Sequence, residues 1–263
     1  MRFSEHLKKA SLVGAFFVSV LLSLPAQALC PISGALTRVK VARVIDGDTL
    51  RLADGRSVRL IGLNAPEVAR QGRRAEPFAD ASRLKLKALI SANSWQVGLR
   101  PGLQAKDHYG RVLAHAFDDD GRNLEALLLA EGLGYFVAIA PNTKLVGCHR
   151  KLEREARAEG LGVWRQSPVV PANKLHSGGF AVLNGRVERV ESNRGGTWLE
   201  LDGSAVLQVP HKVAHKFEPL KDLAGKEIEA RGWVIDRKGR ADLSRQARWL
   251  LKISDPSMLI VQP

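Results

Sequence analysis

Negative charge is scarce in this chain: 27 Asp and Glu stand against 40 Lys and Arg, a formal net charge of +13 at pH 7. With a pI near 10.1, that balance argues against an enzyme of small neutral substrates and for a polyanionic partner such as nucleic acid. The positive residues are spread along the whole sequence, which favours a generally basic surface over a polybasic clamp on anionic lipid. Long apolar runs are missing as well. Residues 10–24 form an apolar run shorter than the ~20 residues needed to cross a bilayer, and no later stretch comes closer. This run follows Arg2, Lys8 and Lys9 and precedes Pro25 and Ala26-Gln27-Ala28. Residues 1–28 therefore read as a cleaved signal peptide, and the remainder as exported, periplasmic or secreted; an N-terminal membrane anchor is the alternative.

Cysteine is almost absent. Cys30 and Cys148 are the only two, both in the part expected to meet oxidising conditions, so a disulfide between them is expected, with two separate thiols as the alternative. Ready-made metal motifs are missing too. His211 and His215 lack a convincing third ligand, and Asp118-Asp119-Asp120-Gly121 lacks the later oxygen ligands and closing glutamate of a calcium loop, so it reads as an exposed turn. Disorder is excluded by a composition of 45% hydrophobic and 25% charged residues, enough for two modest cores.

What is present divides in two. Residues 39–45, 49–52 and 57–63 are β-prone runs separated by Asp46-Gly47 and Asp54-Gly55, an antiparallel meander. A helix over 77–92, strands over 95–99 and 112–117, and helices over 123–131 and 146–159 follow. Prolines and closing glycines in 166–179 mark an interdomain linker. Beyond it come five short strands, over 180–190, 197–201, 205–209, 227–235 and 248–253, with a helix over 212–220 between the third and fourth. That layout fits a second, OB-like β-barrel domain over 180–263, an SH3-like barrel being the alternative. Its Trp198, Trp233 and Trp249 read as core, with base stacking as the alternative.

Three short motifs carry the chemistry. Asp46-Gly47-Asp48-Thr49 supplies oxygen ligands for a hard cation. Arg59 through Glu67 supplies a guanidinium and a carboxylate able to orient a water, and Asp107-His108-Tyr109-Gly110-Arg111 supplies a second guanidinium. Those are the parts that hydrolysis of a phosphate diester needs.

These motifs and their order, with Glu131-Gly132-Leu133, Pro141-Asn142-Thr143 and Gly162-Val163-Trp164, resemble the staphylococcal (micrococcal) nuclease, or thermonuclease, family over roughly residues 39–164. The resemblance implies a mainly β (α+β) chain with an OB-fold nuclease barrel and three helices over 37–165. It implies that Arg59 and Arg111 contact the scissile phosphate, that Glu67 positions or activates the water, and that Tyr109 lies near the phosphate of the bound nucleotide. Calcium (Ca2+) is the implied cofactor, held by Asp48, Asn64 and the main-chain carbonyl of Ala65. DNA and RNA are the implied partners, cleaved with little sugar specificity to leave 3′-phosphate ends. Arg70, Arg73 and Arg74, in the loop after Glu67, read as followers of flanking phosphates or as a solvated loop.

Asn64 stands where the family's best-known member has a second metal-binding aspartate, so calcium is expected to bind more weakly. Residues 137–140 lack the tyrosines that cover the base in that member, so stacking there is expected to suffer. Two rival readings remain beside the nuclease: a catalytically weak nucleic-acid-binding module of the same fold, and an envelope scaffold for anionic polymers. The ligand of the second domain is not legible.

Overall fold

A computed structural model describes residues 29–70, 72–238 and 247–262; the expected signal peptide lies outside these described residues. The Asp-Gly turns build a meander of β1 (Thr37–Asp46), β2 (Thr49–Leu52) and β3 (Ser57–Leu60), followed by the two-residue β4 (Leu63–Asn64). Helix α1 (Ala79–Ala92) leads to β5 (Gln96–Lys106) and β6 (Val112–Phe117). The strands close into a barrel in the order β1-β2-β3-β6-β5. One strand can join both ends of the sheet because β1 is bent. Its first part, Thr37 to Lys40, pairs with β5, and its second part pairs with β2 through two register shifts, the local kinks that let a sheet curl. In β3, Val58 and Leu60 point into the core while Ser57 and Arg59 alternate outward.

Helix α2 (Leu124–Ala130) is capped by Asn123, whose side chain accepts from Ala126 N. The short β7 (Tyr135–Phe136) pairs with β4, and α3 (Val146–Ala158) completes the three expected helices. Gly132, at φ 65°, ends α2 and packs its backbone on Leu161 and Gly162 with no room for a Cβ. The expected disulfide is formed: Cys30 and Cys148, with Cα atoms 5.8 Å apart, tie the start of the described chain to α3.

The second unit comprises β8 (Val169–Pro171), β9 (Gly179–Asn193), β10 (Gly196–Leu201), β11 (Ala205–Val209), α4 (His211–Ala214), β12 (Glu227–Asp236), β13 (Trp249–Lys252) and β14 (Leu259–Val261). Five of these strands form a ring, β9-β10-β11-β13-β12, closed by pairing of β12 back onto β9. Strands β11 and β13 run parallel, as β3 and β6 do in the first barrel. The described residues therefore form a closed five-stranded OB-type barrel and, after it, a seven-stranded sheet in which five strands pair into a ring of the same connectivity.

Several elements differ from their sequence expectations for identifiable reasons. Helix α1 starts at Ala79 because Phe78 is left-handed, at φ 67°. Strand β5 runs on to Lys106, where mostly exposed residues leave no inward-outward pattern to read. The helix expected over 212–220 is the single turn α4 plus a 3-10 turn at Leu220–Leu223, divided at Pro219, which lacks the N–H a helix needs. The stretch 166–179 carries β8, parallel to β9, and buries Ala172.

The barrels meet through buried charge. On one outer face of β12, Glu229 accepts two hydrogen bonds from Arg157 at 2.8 and 2.7 Å, and Arg231 donates to Glu153 of α3 at 2.7 Å. Glu153 also accepts from Phe136 N at 2.7 Å, which ties the pair to β7.

Candidate active site

The first turn of the meander makes the floor of the site. Gly47 is required there, since a Cβ would run into Ser82 of α1 and into Ala65. On either side of it, Asp46 and Asp48 are both buried. Asp46 Oδ1 accepts from Asp48 N at 3.1 Å, and Asp48 Oδ1 accepts from Thr49 Oγ1 at 3.0 Å. Asp48 Oδ2 accepts from Ala65 N at 2.7 Å and lies 2.7 Å from Arg59 Nη1. Burial pushes the Asp48 carboxyl up to about 7; the Arg59 charge opposes that shift and the neighbouring Asp46 reinforces it. Two carboxylates packed this closely favour a cation.

Arg59, opposite Thr49 on β2 and beside Leu113 on β6, reaches along β4. Its Nη1 donates to Leu63 O at 2.9 Å and its Nη2 to Asn64 Oδ1 at 3.0 Å. The chain reaches β4 through Gly62, at φ 88°, against which His149 is packed so tightly that a Cβ has no space.

Glu67 follows Pro66 into the open and is exposed. Its N–H donates to Glu76 Oε2 and its carbonyl accepts from Glu76 N, both at 2.9 Å, so the loop 67–76 leaves and returns at one neck. Of the three loop arginines, only Arg70 turns into the site, with Nη2 2.7 Å from Asp46 Oδ2. Arg73 and Arg74 are exposed and do not line the cleft.

The third motif is a self-bonded turn. Asp107 Oδ1 accepts from Tyr109 N and Arg111 N at 2.9 Å each, and Oδ2 accepts from Arg111 Nε at 2.7 Å. Burial pushes the Asp107 carboxyl up, but the Arg111 hydrogen bonds and charge outweigh it, leaving its pKa below the ordinary value. The Arg111 guanidinium lies 5.4 Å from the centre of the exposed Tyr109 ring. Asp107 grips this guanidinium through Nε.

These pieces converge. Asp46, Asp48, Arg59, Asn64, Glu67, Arg70, Tyr109 and Arg111 line one cleft of about 620 Å³. Ala65 is buried just behind Asp48. Among the described residues no group of three or more His, Cys, Asp or Glu gathers as a metal site. The donor set here is instead two carboxylates with the Thr49 hydroxyl, the Asn64 amide oxygen and main-chain carbonyls, all hard oxygens that fit calcium or magnesium.

Sequence placed Asp46 in the cation motif without a role of its own, whereas Gln104 of β5 and Trp233, which also line the cleft, were not singled out for this site. Trp233 comes from β12 of the second barrel and lines the same cleft, a placement that depends on how the two barrels pack.

A family model described as "Staphylococcal nuclease homologue" matches residues 57–166. Thermonuclease of Staphylococcus intermedius is 32% identical over 129 residues, covering 48% of this chain and 75% of the thermonuclease. Endonuclease YncB of Bacillus subtilis (strain 168) is 31% identical over 139 residues, 51% of this chain and 65% of YncB. The SPbeta prophage-derived endonuclease YokF of the same organism is 30% identical over 139 residues, 51% of this chain and 46% of YokF. The chain thus spans less than two thirds of the two Bacillus relatives. By the family match and by its likeness to the thermonuclease, over a barrel that brings the three motifs to one cleft, this chain belongs to the staphylococcal nuclease family.

Proposed function

We propose that the chain is an exported, calcium-dependent endonuclease that hydrolyses phosphodiester bonds of DNA and RNA with little sugar specificity. The observation that carries this reading is the gathering of Arg59, Glu67 and Arg111 in one cleft with Asp48 and Asn64. The names of the thermonuclease and endonuclease relatives support the reaction class.

Arg59 and Arg111 hold the scissile phosphate by paired N–H donors and offset the charge that builds on its oxygens in a five-coordinate transition state. The part-buried hydrogen bonds to Leu63 O, Asn64 and Asp107 hold both guanidiniums before substrate arrives. Glu67 orients a water and takes its proton as the water oxygen bonds to phosphorus. The bond from phosphorus to the 5′-oxygen breaks, that oxygen is protonated from solvent, and a 3′-phosphate end remains. Asp48, Asn64 Oδ1 and the Ala65 carbonyl would hold calcium, which when bound would supply positive charge to the phosphate and the water. Tyr109 borders the phosphate, and Arg70 extends the positive wall toward flanking phosphates. The Cys30 to Cys148 bridge suits an oxidising compartment and so supports export of the chain after loss of residues 1–28.

Plasmid DNA and RNA incubated with the purified mature chain, with calcium or with a chelator, test the class. Absence of calcium-stimulated cleavage removes the enzyme reading. Glu67→Ser tests the mechanism: unchanged cleavage would remove the role given to Glu67 while leaving the class.

A further inference from the structure

The phosphate-handling cleft has one wall that does not belong to the nuclease barrel. Trp233 lines it from β12 and remains 40% exposed, whereas Trp164 and Trp249 are 6% and 4% exposed. A tryptophan whose only task was to fill the joint between barrels would be buried as those two are. Its position is set by the joint itself. Glu229, Arg231 and Trp233 share one face of β12 by the two-residue period of a strand. The first two are locked to Arg157 and Glu153 of α3. The Phe180 and Trp233 rings pack in a T-shaped arrangement, with centroids 5.3 Å apart.

The adjoining nuclease segment is held from the same direction. Ala138 N donates to Met258 Sδ at 3.0 Å and Ala140 N to Ser254 Oγ at 3.3 Å. Between them, Ile139 is 50% exposed and lines the cleft. A half-exposed indole packed against Phe180, in a cleft otherwise rich in arginine and carboxylate, suits a ligand that carries both phosphate and a flat ring.

We propose that Trp233 is a stacking platform for a nucleobase of the strand bound in the nuclease cleft, so that the second barrel forms part of the substrate site. This rests on the nuclease reading above, and the experiment separates the two. Trp233→Leu keeps apolar bulk without a ring, and Trp233→Phe keeps a ring. Each is compared with the wild type on a single-stranded oligonucleotide and on the same strand with tetrahydrofuran spacers in place of its bases. Binding is measured by anisotropy in the Glu67→Ser background, and cleavage with Glu67 intact. The Leu variant is expected to raise Kd and KM for the normal strand by roughly 5- to 100-fold, the span of one base stack. It should bind the spacer strand as the wild type does, while the Phe variant should recover most of the affinity. Equal binding of both strands by wild type and Leu variant would overturn the proposal. Ring-dependent binding without any cleavage by the wild type would support the platform and overturn the nuclease reading instead.

Discussion

Arg59 Nη1 lies 2.7 Å from Asp48 Oδ2, so the guanidinium assigned to the phosphate is clasped by the carboxylate assigned to the cation. A cation held by Asp48 would compete with the Arg59 guanidinium for this carboxylate. Arg59→Ala should therefore split two measurements. Cleavage should fall by roughly 10²- to 10³-fold, as for loss of one preorganised donor to a transition-state oxyanion. Calcium affinity, measured by calorimetry without nucleic acid, should hold or rise because a competing charge is gone. A loss of calcium affinity in this variant would mean that Arg59 helps shape the cation site rather than competing for it.

Asn64 is buried and accepts from Arg59 Nη2 at 3.0 Å through Oδ1. A carboxylate at this position would keep that acceptor and add a negative charge beside Asp48. Asn64→Asp should tighten the apparent calcium Kd by about tenfold, because hard-cation affinity follows ligand charge. A calcium titration of cleavage should show half-maximal activity at correspondingly lower calcium, and an unmoved titration would exclude Asn64 from the cation's surroundings.

Much of this was legible in the sequence, and the reasons are local. Asp46-Gly47 and Asp54-Gly55 announce the meander because turn chemistry is set by neighbouring residues. Arg59, Glu67 and Arg111 stood out because each sits in a short motif whose residue types match one chemistry. What was not legible depends on contacts between distant segments. The inward face of a loop is one such case: three arginines had equal claim to the phosphates, and only Arg70, paired with Asp46, enters the cleft. Trp233 is another. The tyrosine-poor segment 137–140 gave the expectation of poor stacking from one barrel alone, while an aromatic on the same cleft comes from a strand whose position follows from the joint between barrels.

His149 gives a pH-dependent stability. Its Nε2 lies 2.8 Å from Asn123 Oδ1, which can only accept, so Nε2 carries a proton. Burial, helped by His115, pushes its pKa down to about 3 from 6.5. A folded-state pKa below the unfolded one means that the unfolded chain binds the extra proton first. The stabilisation is complete above about 6.5 and is lost as pH falls toward about 3. Between those limits this residue should remove about 1.4 kcal/mol per pH unit. Urea denaturation from pH 7 to pH 4.5 should show that slope in the wild type and a shallower one in His149→Gln.

Arg231 and Glu153 are almost wholly buried, at 3% and 4% exposure, and are the charged centre of the joint between barrels. Removing one partner leaves the other charge unpaired in a medium that solvates it poorly. Arg231→Met should therefore cost about 3–5 kcal/mol at neutral pH. Burial already pushes the Glu153 carboxyl above its ordinary pKa against the pull of Arg231, and without the arginine it rises further. Protonation then relieves the penalty, so the deficit of Arg231→Met should shrink as pH is lowered. The double replacement Arg231→Met with Glu153→Met should recover most of the loss, since it leaves no orphaned charge at that pair. Chemical denaturation of the three proteins at two pH values decides between this account and a simple packing defect, which the acid and the second substitution would both leave uncorrected. Because the same strand carries Trp233 into the cleft, the single variant should also weaken oligonucleotide binding, and the double replacement should restore it in step with stability.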